Sequence, residues 1–187
     1  MDETPIRIVE YNPNWANQFE PERQRLNKVL DEYTSRIEHI GSTSVEGLSA
    51  KPIIDITAVV TDVEGLWGDL DKLSAGLGYQ LSHIPTDWLF LQCTGDTGQF
   101  RTDDFSQSYN LHLIRESNEQ WKNDLRFREY LRANPDVRDQ YGTIKQKAAE
   151  SHPNNLNEYN AAKNDFCASV LAQAKTDDSI EIPDKRH

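Results

Sequence analysis

The chain has 187 residues, of which 36% are hydrophobic and 27% are charged, and its formal net charge is -11. The length suits one folded domain, and the composition is typical of a globular protein rather than a disordered one. The negative charge argues against binding to nucleic acid, whose phosphates need a basic surface. No apolar run approaches the roughly 20 residues that span a bilayer, so no membrane partner is expected.

The N-terminus, MDETPIRIVE, is acidic and lacks the apolar core of a signal peptide, which favours a cytoplasmic protein. Cys93 and Cys167 both lie in apolar surroundings (LFLQC and DFCASV), so two buried free thiols are favoured over a disulfide. Charge is unevenly distributed along the chain. The segment from Arg115 to Lys147 contains eight Lys/Arg residues and six Asp/Glu residues. This segment indicates either solvated helix faces or a locally basic pocket inside an acidic protein.

Hydrophobic spacing predicts strands and helices in mixed order over the first half of the chain. Pro21 interrupts the first helical run, so we expect it to divide that helix. The strand IIDITAVV is rich in β-branched residues and predicts a central position in the sheet. The predicted elements of this half are an edge strand or extended arm (6–12), a helical run (15–33), a strand (36–40), a turn-rich segment (41–52), a strand (53–60) and a helix (62–77).

The second half continues with strands and ends with three helices. Ser117 and Gln120 have the spacing of a capping box at the start of the first of these helices. The predicted elements are strands (79–84, 87–93 and 109–115), a polar loop (95–108) and helices (117–133, 135–150 and 156–175). We therefore predict an α+β domain over residues 1–175, with a mixed β-sheet flanked by helices and a helical C-terminal portion. Residues 176–187 are predicted to form a disordered tail.

A turn connects the strand at 36–40 to the next strand and contains Gly41, Ser42, Thr43 and Ser44. Glycine permits a close approach of the backbone, and serine or threonine caps a short helical turn. Exposed backbone amides at such a turn bind phosphate. This composition also occurs in turns that bind nothing, so the motif is informative only together with the strand at 53–60.

Asp55 lies in the middle of the apolar strand at 53–60, on the same face as Thr57. A carboxylate there is unfavourable unless it has a partner. The partner is either Lys51 or an arginine in a structural ion pair, or Mg²⁺ facing a nucleotide. A Gly-Ser turn with an aspartate on a strand about a dozen residues later is typical of nucleotidyltransferases. In those enzymes the turn holds phosphates and carboxylates hold Mg²⁺.

The motif EHIGSTSVEGLSAKPIIDI closely resembles the GrpB family, as do NLHLI and FREYLR. The resemblance extends from about Val9 to Ala174 and implies a nucleotidyltransferase-like fold. Domains of this family also occur fused to dephospho-CoA kinase, which indicates nucleotide or coenzyme chemistry. The chain departs from the catalytic pattern, because Thr57 stands where a second carboxylate is expected and Asn110 replaces a histidine. Glu38 is a candidate for the second carboxylate.

Further site candidates come from the strand at 109–115 and from the helices. His112 is a candidate general base or hydrogen-bond donor to phosphate. Arg128 and Lys145 are candidate phosphate ligands, although lysines beside aromatic residues also pack along helix edges. Tyr159 and Lys163 repeat the spacing of Tyr141 and Lys145, and for Lys163 the packing interpretation is favoured.

These residues are consistent with two main functions. The first is a nucleotidyltransferase that acts on a small molecule with a nucleotide donor and Mg²⁺. Asp55 and His112 would be catalytic, Asp55 would bind the metal, and the phosphate ligands would be Gly41, Ser42, Thr43, Ser44, Lys51, Arg128 and Lys145. The second is a non-catalytic module that binds a nucleotide, a coenzyme or another phosphorylated small molecule, which Thr57 and Asn110 favour. Modification of RNA ends is a third function, and the net charge counts against it.

Overall fold

The computed structural model describes residues 5–83, 88–93 and 107–184. Their order of strands and helices confirms the predicted α+β class. The elements are α1 (Asn14–Leu30), β1 (Thr34–Ile40), a 3-10 turn (Ser42–Ser44), β2 (Ile53–Val60), α2 (Val63–Leu77), β3 (Gln80–His83), β4 (Trp88–Cys93), β5 (Ser108–Arg115), α3 (Gln120–Ala133), α4 (Pro135–Ser151) and α5 (Leu156–Thr176).

The five strands form one mixed sheet in the order β1-β2-β5-β4-β3. Only β2 and β5 are parallel, and the other three pairs are antiparallel. The β-branched strand β2 therefore lies between two partners, as predicted for a central strand. The register places Asp55 beside Asn110, and Thr57 between Glu38 and His112.

Helices cover both faces of the sheet. On one face, Ile54 and Ile56 of β2 are fully buried in a core shared with Leu26 and Leu30 of α1 and Leu66 of α2. The opposite face carries Asp55 and Thr57, because side chains alternate along a strand. Arg128 of α3 reaches Glu38 on this second face, with 3.1 Å between the guanidinium Nη1 and the carboxylate Oε2. The candidate site therefore lies between the sheet and the C-terminal helices.

At two helices, the structure differs from what the local sequence pattern predicts. Helix α1 runs through Pro21 without a break, because burial of Trp15, Leu26 and Leu30 in one core outweighs the roughly 3 kcal/mol penalty of an interior proline. The capping box at Ser117 and Gln120 does not form. Asn118 instead accepts a hydrogen bond from the backbone N–H of Gln120, at 2.8 Å.

Both ends of the described chain lie against the domain. Residues 6–12 form an arm, in which Val9 makes an isolated bridge to Ala50 and the Ile6 N–H donates to the Pro153 carbonyl. After α5, Ile180 packs against the cluster formed by the C-terminal helices, and Arg36 donates to the Pro183 carbonyl at 2.7 Å. These contacts involve part of the segment predicted to be a disordered tail.

Some sequence predictions lie outside the described residues, including most of the polar loop at 95–108 and the ends of two strands at 84 and 87. Cys167 is a free, half-buried thiol. Within the described ranges, no helix is both long and apolar enough to cross a membrane.

Candidate functional site

The turn after β1 is shaped around Asp55. Gly41 has φ 67° and ψ -172°, a conformation essentially restricted to glycine. A Cβ atom at this position would lie 2.4 Å from the Asp55 Oδ2 atom. Glycine is therefore required both by the backbone conformation and by the approach of the turn to the carboxylate.

The hydroxyl groups of the turn are used differently. Ser44 Oγ donates to the Gly41 carbonyl at 2.6 Å, and Thr43 Oγ1 is hydrogen-bonded to His39 Nε2 at 2.9 Å. Both side chains are buried, so they stabilise the turn rather than face a ligand. Ser42 is half-buried and interacts with Tyr141 of α4. Among the predicted phosphate ligands of the turn, Ser42 is thus the one directed at the C-terminal helices.

Asp55 is held by side chains from β5. Asn110 Nδ2 donates to Asp55 Oδ1 at 2.7 Å, and Gln92 Nε2 donates to Asn110 Oδ1 at 3.1 Å. His112 Nε2 lies 3.9 Å from the same Asp55 oxygen. Burial alone would raise the pKa of Asp55, but His112, Asn110 and the charge of Lys51 lower the pKa overall. Asp55 is therefore an anion at neutral pH, and its side chain remains 30% exposed.

The residues around Asp55 offer one carboxylate for a metal. Thr57 is buried, and its hydroxyl has no hydrogen-bond partner among the described residues. Glu38 is paired with Arg128 and lies 3.6 Å from Arg36 Nε. Within the described part of the chain, no group of three acidic, histidine or cysteine side chains could hold a metal ion. The donor set therefore does not fit two metal ions, and Asp55 could hold a single Mg²⁺ only where other ligands complete the coordination.

A second carboxylate, missed in the sequence, lies on α3. Asp124 accepts a hydrogen bond from Gln120 at 2.7 Å. Burial raises the pKa of Asp124 to about 6, and its charge interacts with those of His112 and Asp55. No pattern in the sequence distinguishes Asp124 from a solvated helix residue, because its environment is created by the packing of α3 on the sheet.

Three lysines surround two tyrosine rings beside the turn, and we call Lys51, Lys145 and Lys163 the lysine cluster. Lys145 Nζ donates to the Ser49 carbonyl and lies 4.6 Å from the centre of the Tyr141 ring. Lys163 Nζ lies 4.0 Å and Lys51 Nζ 5.4 Å from the centre of the Tyr159 ring. Among the described residues, no carboxylate forms an ion pair with any of these three lysines.

The cluster concentrates positive charge in a poorly solvated place. Burial, together with repulsion from Lys163, lowers the pKa of Lys145 to about 7. Burial and the charge of Lys51 lower the pKa of Lys163 to about 8, and burial also lowers the pKa of Lys51. Asp55 acts in the opposite direction on all three. The positive charge of the cluster therefore exceeds the negative charge that Asp55 contributes.

The structure gives Arg128 a role in the fold. Its side chain is 4% exposed, and its Nη1 donates to Glu38 and to the His39 carbonyl, the latter at 2.6 Å. Its Nε donates to Glu129 at 2.7 Å. These contacts use Nη1 and Nε, and the side chain is buried, so the structure favours a role of Arg128 in the fold over one in phosphate binding.

Most of the other predicted residues come together. Gly41, Ser42, Asp55 and His112 line the sheet side of the site, while Lys51 and Lys145 lie in the lysine cluster. Lys163 joins them, although packing was favoured for it in the sequence. The sequence pattern that identifies Lys163 is the Tyr-to-Lys spacing that α4 and α5 share.

The comparison with protein families decides the relationship. A family model described as "GrpB protein" matches residues 5–173. The chain belongs to the GrpB family. A UPF0157 protein of Halalkalibacterium halodurans is 36% identical over 172 residues, which cover 90% of this chain and 82% of that protein. The crystal structure of GrpB from Enterococcus faecalis has a TM-score of 0.72 at 32% identity, covering 90% of this chain and 96% of that one.

Another relative of this GrpB-family chain is a dephospho-CoA kinase of Mycobacterium bovis, which is 29% identical over 191 residues. The match covers 91% of this chain but 46% of that protein. The dephospho-CoA kinase activity in its name therefore belongs to a larger protein.

Solved nucleotidyltransferases share the fold. The GLD-2/RNP-8 complex matches with a TM-score of 0.56 at 14% identity, covering 87% of this chain and 58% of that one. Cid1 poly(U) polymerase with Mg 3'-dATP bound matches with a TM-score of 0.54 at 12% identity, covering 83% of this chain and 49% of that one. The predicted nucleotidyltransferase-like fold is confirmed, and identities this low say nothing about activity.

Proposed function

We propose that this chain binds a nucleotide or another phosphorylated small molecule, with the phosphates against the lysine cluster and Ser42. The observation that carries this proposal is the convergence of three ammonium groups without an ion-paired carboxylate in the described part of the chain. Burying such charge is unfavourable unless an opposite charge compensates it. Phosphate supplies that charge together with strong hydrogen-bond acceptors.

The site is accessible from one side. Lys145 is 2% exposed and closes the interior end of the cluster. Ser42, Lys51 and Lys163 are half-buried, so a ligand can reach them from solvent. Asp55 lies against Gly41, and its charge acts on all three lysines. A ligand with phosphates at one end would place them on the lysines and the remainder of the molecule toward Asp55 and His112.

Titration calorimetry with ATP, first in EDTA and then with Mg²⁺, tests this proposal. Lys163→Met is expected to weaken ATP binding by about 10- to 100-fold, because a hydrogen bond to a charged group contributes roughly 1.5–3 kcal/mol. Lys147→Met is the matched control, since Lys147 is an exposed lysine of α4 outside the cluster. Equal affinities of the two variants would contradict the placement of the phosphates, and no binding of ATP, other nucleotides or coenzyme A would contradict the proposal.

The second candidate function is nucleotidyl transfer to a small molecule, which the fold and the anionic Asp55 favour. Asp55 would hold Mg²⁺ together with the phosphates, and Mg²⁺ supplies neutralisation of phosphate charge and polarisation of the reacting phosphoryl group. His112, whose Nε2 lies 3.9 Å from Asp55 Oδ1, would accept a proton from the hydroxyl of an acceptor. The neutral Thr57 and Asn110 favour the non-catalytic alternative.

Asp55→Asn separates the two candidates. A transferase is expected to consume nucleoside triphosphate only with Mg²⁺ and to lose this activity in the variant, because a neutral amide is a poor Mg²⁺ ligand. Phosphorus NMR of the nucleotide with a panel of small hydroxyl acceptors monitors the reaction. If ATP binds the wild-type chain but no nucleotide is consumed with Mg²⁺, the chain is a binding module.

A further inference from the structure

The lysine cluster gathers three amines around two tyrosine rings. Lys51 and Lys163 approach the ring of the same residue, Tyr159, at 5.4 and 4.0 Å from its centre. Lys145 approaches the neighbouring Tyr141 and donates to a backbone carbonyl. Cation–π contacts and one carbonyl stabilise ammonium groups, but neither neutralises them.

Titratable groups from β2, α4 and α5 face the cluster, and the N-terminal arm packs against Tyr159 through Ile6 and Ile8. Asp55 is the carboxylate whose charge acts on all three lysines. Cys167 Sγ lies 3.6 Å from the Tyr141 hydroxyl. Burial raises the pKa of Tyr141 and of Tyr159, so both phenols stay neutral near pH 7. The groups that face the cluster are Asp55 (β2), Lys51 (before β2), Tyr141 and Lys145 (α4), and Tyr159, Lys163 and Cys167 (α5).

We propose that an anionic ligand binds at the lysine cluster with uptake of protons, so that the cluster is partly neutral when empty and fully charged when occupied. The inference rests on the proposed function, because it concerns the same phosphate ligand. A phosphate among the three amines replaces lysine–lysine repulsion by attraction and so favours the charged form of each amine. By linkage, the ligand then binds more weakly wherever the empty cluster has lost protons.

The affinity for ATP is expected to fall with pH above neutrality. The pKa values of about 7 for Lys145 and about 8 for Lys163 place the loss of protons from the empty site between pH 7 and pH 9. The phosphates of the ligand lose their last protons near pH 6, so the charge of ATP is nearly constant in this range. If both amines must be charged in the complex, the affinity falls by on the order of 100-fold or more between pH 7 and pH 9.

The direct measurement is calorimetry of ATP binding in EDTA at several pH values, each in two buffers with different ionisation enthalpies. The buffer dependence of the heat gives the number of protons taken up. Lys163→Arg tests the source of these protons, since arginine keeps the positive charge but does not titrate below about pH 12. The variant is expected to bind ATP, to take up about one proton fewer at pH 9 and to show a shallower pH dependence. Lys147→Arg is the control and should behave like the wild type.

The outcomes separate the two proposals. Failure of ATP and other phosphorylated ligands to bind at any pH overturns the proposed function and this inference with it. Binding whose affinity is constant between pH 7 and pH 9, without proton uptake, overturns the inference and leaves the proposed function in place. Uptake at pH 9 that is unchanged in Lys163→Arg means that Lys163 gains no proton on binding, which overturns the inference for Lys163.

Discussion

Gly41→Ala is the most sensitive test of the site geometry. The alanine Cβ would lie 2.4 Å from Asp55 Oδ2 and 3.0 Å from the Asp55 Cβ atom, and the backbone at this position has φ 67°. A non-glycine residue in such a conformation costs about 1–3 kcal/mol. The Asp55 carboxylate must also move, which disrupts its 2.7 Å hydrogen bond from Asn110. That loss costs roughly another 1.5–3 kcal/mol, because the acceptor is charged.

The two contributions predict that Gly41→Ala lowers the free energy of unfolding by about 3–5 kcal/mol. Urea denaturation measures this change. With a slope near 2 kcal/mol per molar urea, the midpoint should fall by roughly 2 M. The same displacement moves Asp55 out of position, so any Mg²⁺-dependent gain in ATP affinity should also disappear.

Gly68→Ala is the matched control. Gly68 lies in α2, and a Cβ atom there would meet nothing within 4 Å. Alanine at this position should be neutral or stabilise the protein by about 0.5–1 kcal/mol, since glycine is unfavourable inside helices. A destabilisation by Gly41→Ala of less than about 1 kcal/mol would refute the reasoning, because the strain of the backbone alone accounts for that much.

Two further predictions concern the fold beneath the site. Arg128→Met should destabilise the protein by about 3–5 kcal/mol in thermal or urea unfolding, because it leaves the buried Glu38 without its nearest cation. The control is Arg126→Met, which breaks a 3.8 Å contact to an exposed glutamate and should change stability by less than about 1 kcal/mol. Equal effects of the two variants would contradict the pairing of Arg128 with Glu38. Burial lowers the pKa of His39 to about 3, compared with about 6.5 in the unfolded chain. The unfolded state therefore binds more protons below pH 6.5, and the free energy of unfolding should decrease by about 2–3 kcal/mol at pH 4.5. His39→Gln should reduce this acid sensitivity, and an unchanged pH profile of unfolding would contradict the assignment.

The sequence predicted strand β2 residue for residue, because an uninterrupted β-branched run specifies both the element and its burial. It also assigned the Gly41 turn and Asp55 to one site, because a Gly-Ser turn followed by an aspartate on a strand forms a combined pattern, whereas their direct contact follows from the fold. Pro21 misled the prediction of α1, because a local rule cannot weigh the core contacts of Trp15 and Leu30. In α1, tertiary packing outweighs the local propensity of the proline to break the helix.

The roles of Arg128 and Lys163 were harder to predict for a related reason. The partner of Arg128 is Glu38, 90 positions away in the chain, and nothing in the helix sequence distinguishes a buried ion pair from a phosphate ligand. Lys163 offered one signal, the spacing Tyr159-to-Lys163 that repeats Tyr141-to-Lys145. This spacing indicates a shared site only because α4 and α5 pack side by side, which brings Lys145 and Lys163 into one cluster with Lys51.

The balance of charge in the site bears on whether the chain binds or also transfers. A site with two or three carboxylates attracts a metal ion before the nucleotide arrives. Here Thr57 and Asn110 are neutral, Glu38 is paired with arginine, and among the described residues Asp55 is the carboxylate whose charge acts on all three lysines. A metal ion approaching the empty site would meet net positive charge, so the phosphates must bring it in. Affinity for ATP without metal should therefore be substantial, and Mg²⁺ alone should bind weakly. Tight binding of Mg²⁺ alone, together with weak binding of ATP without metal, would indicate that the acidic groups, including Asp124, dominate the site.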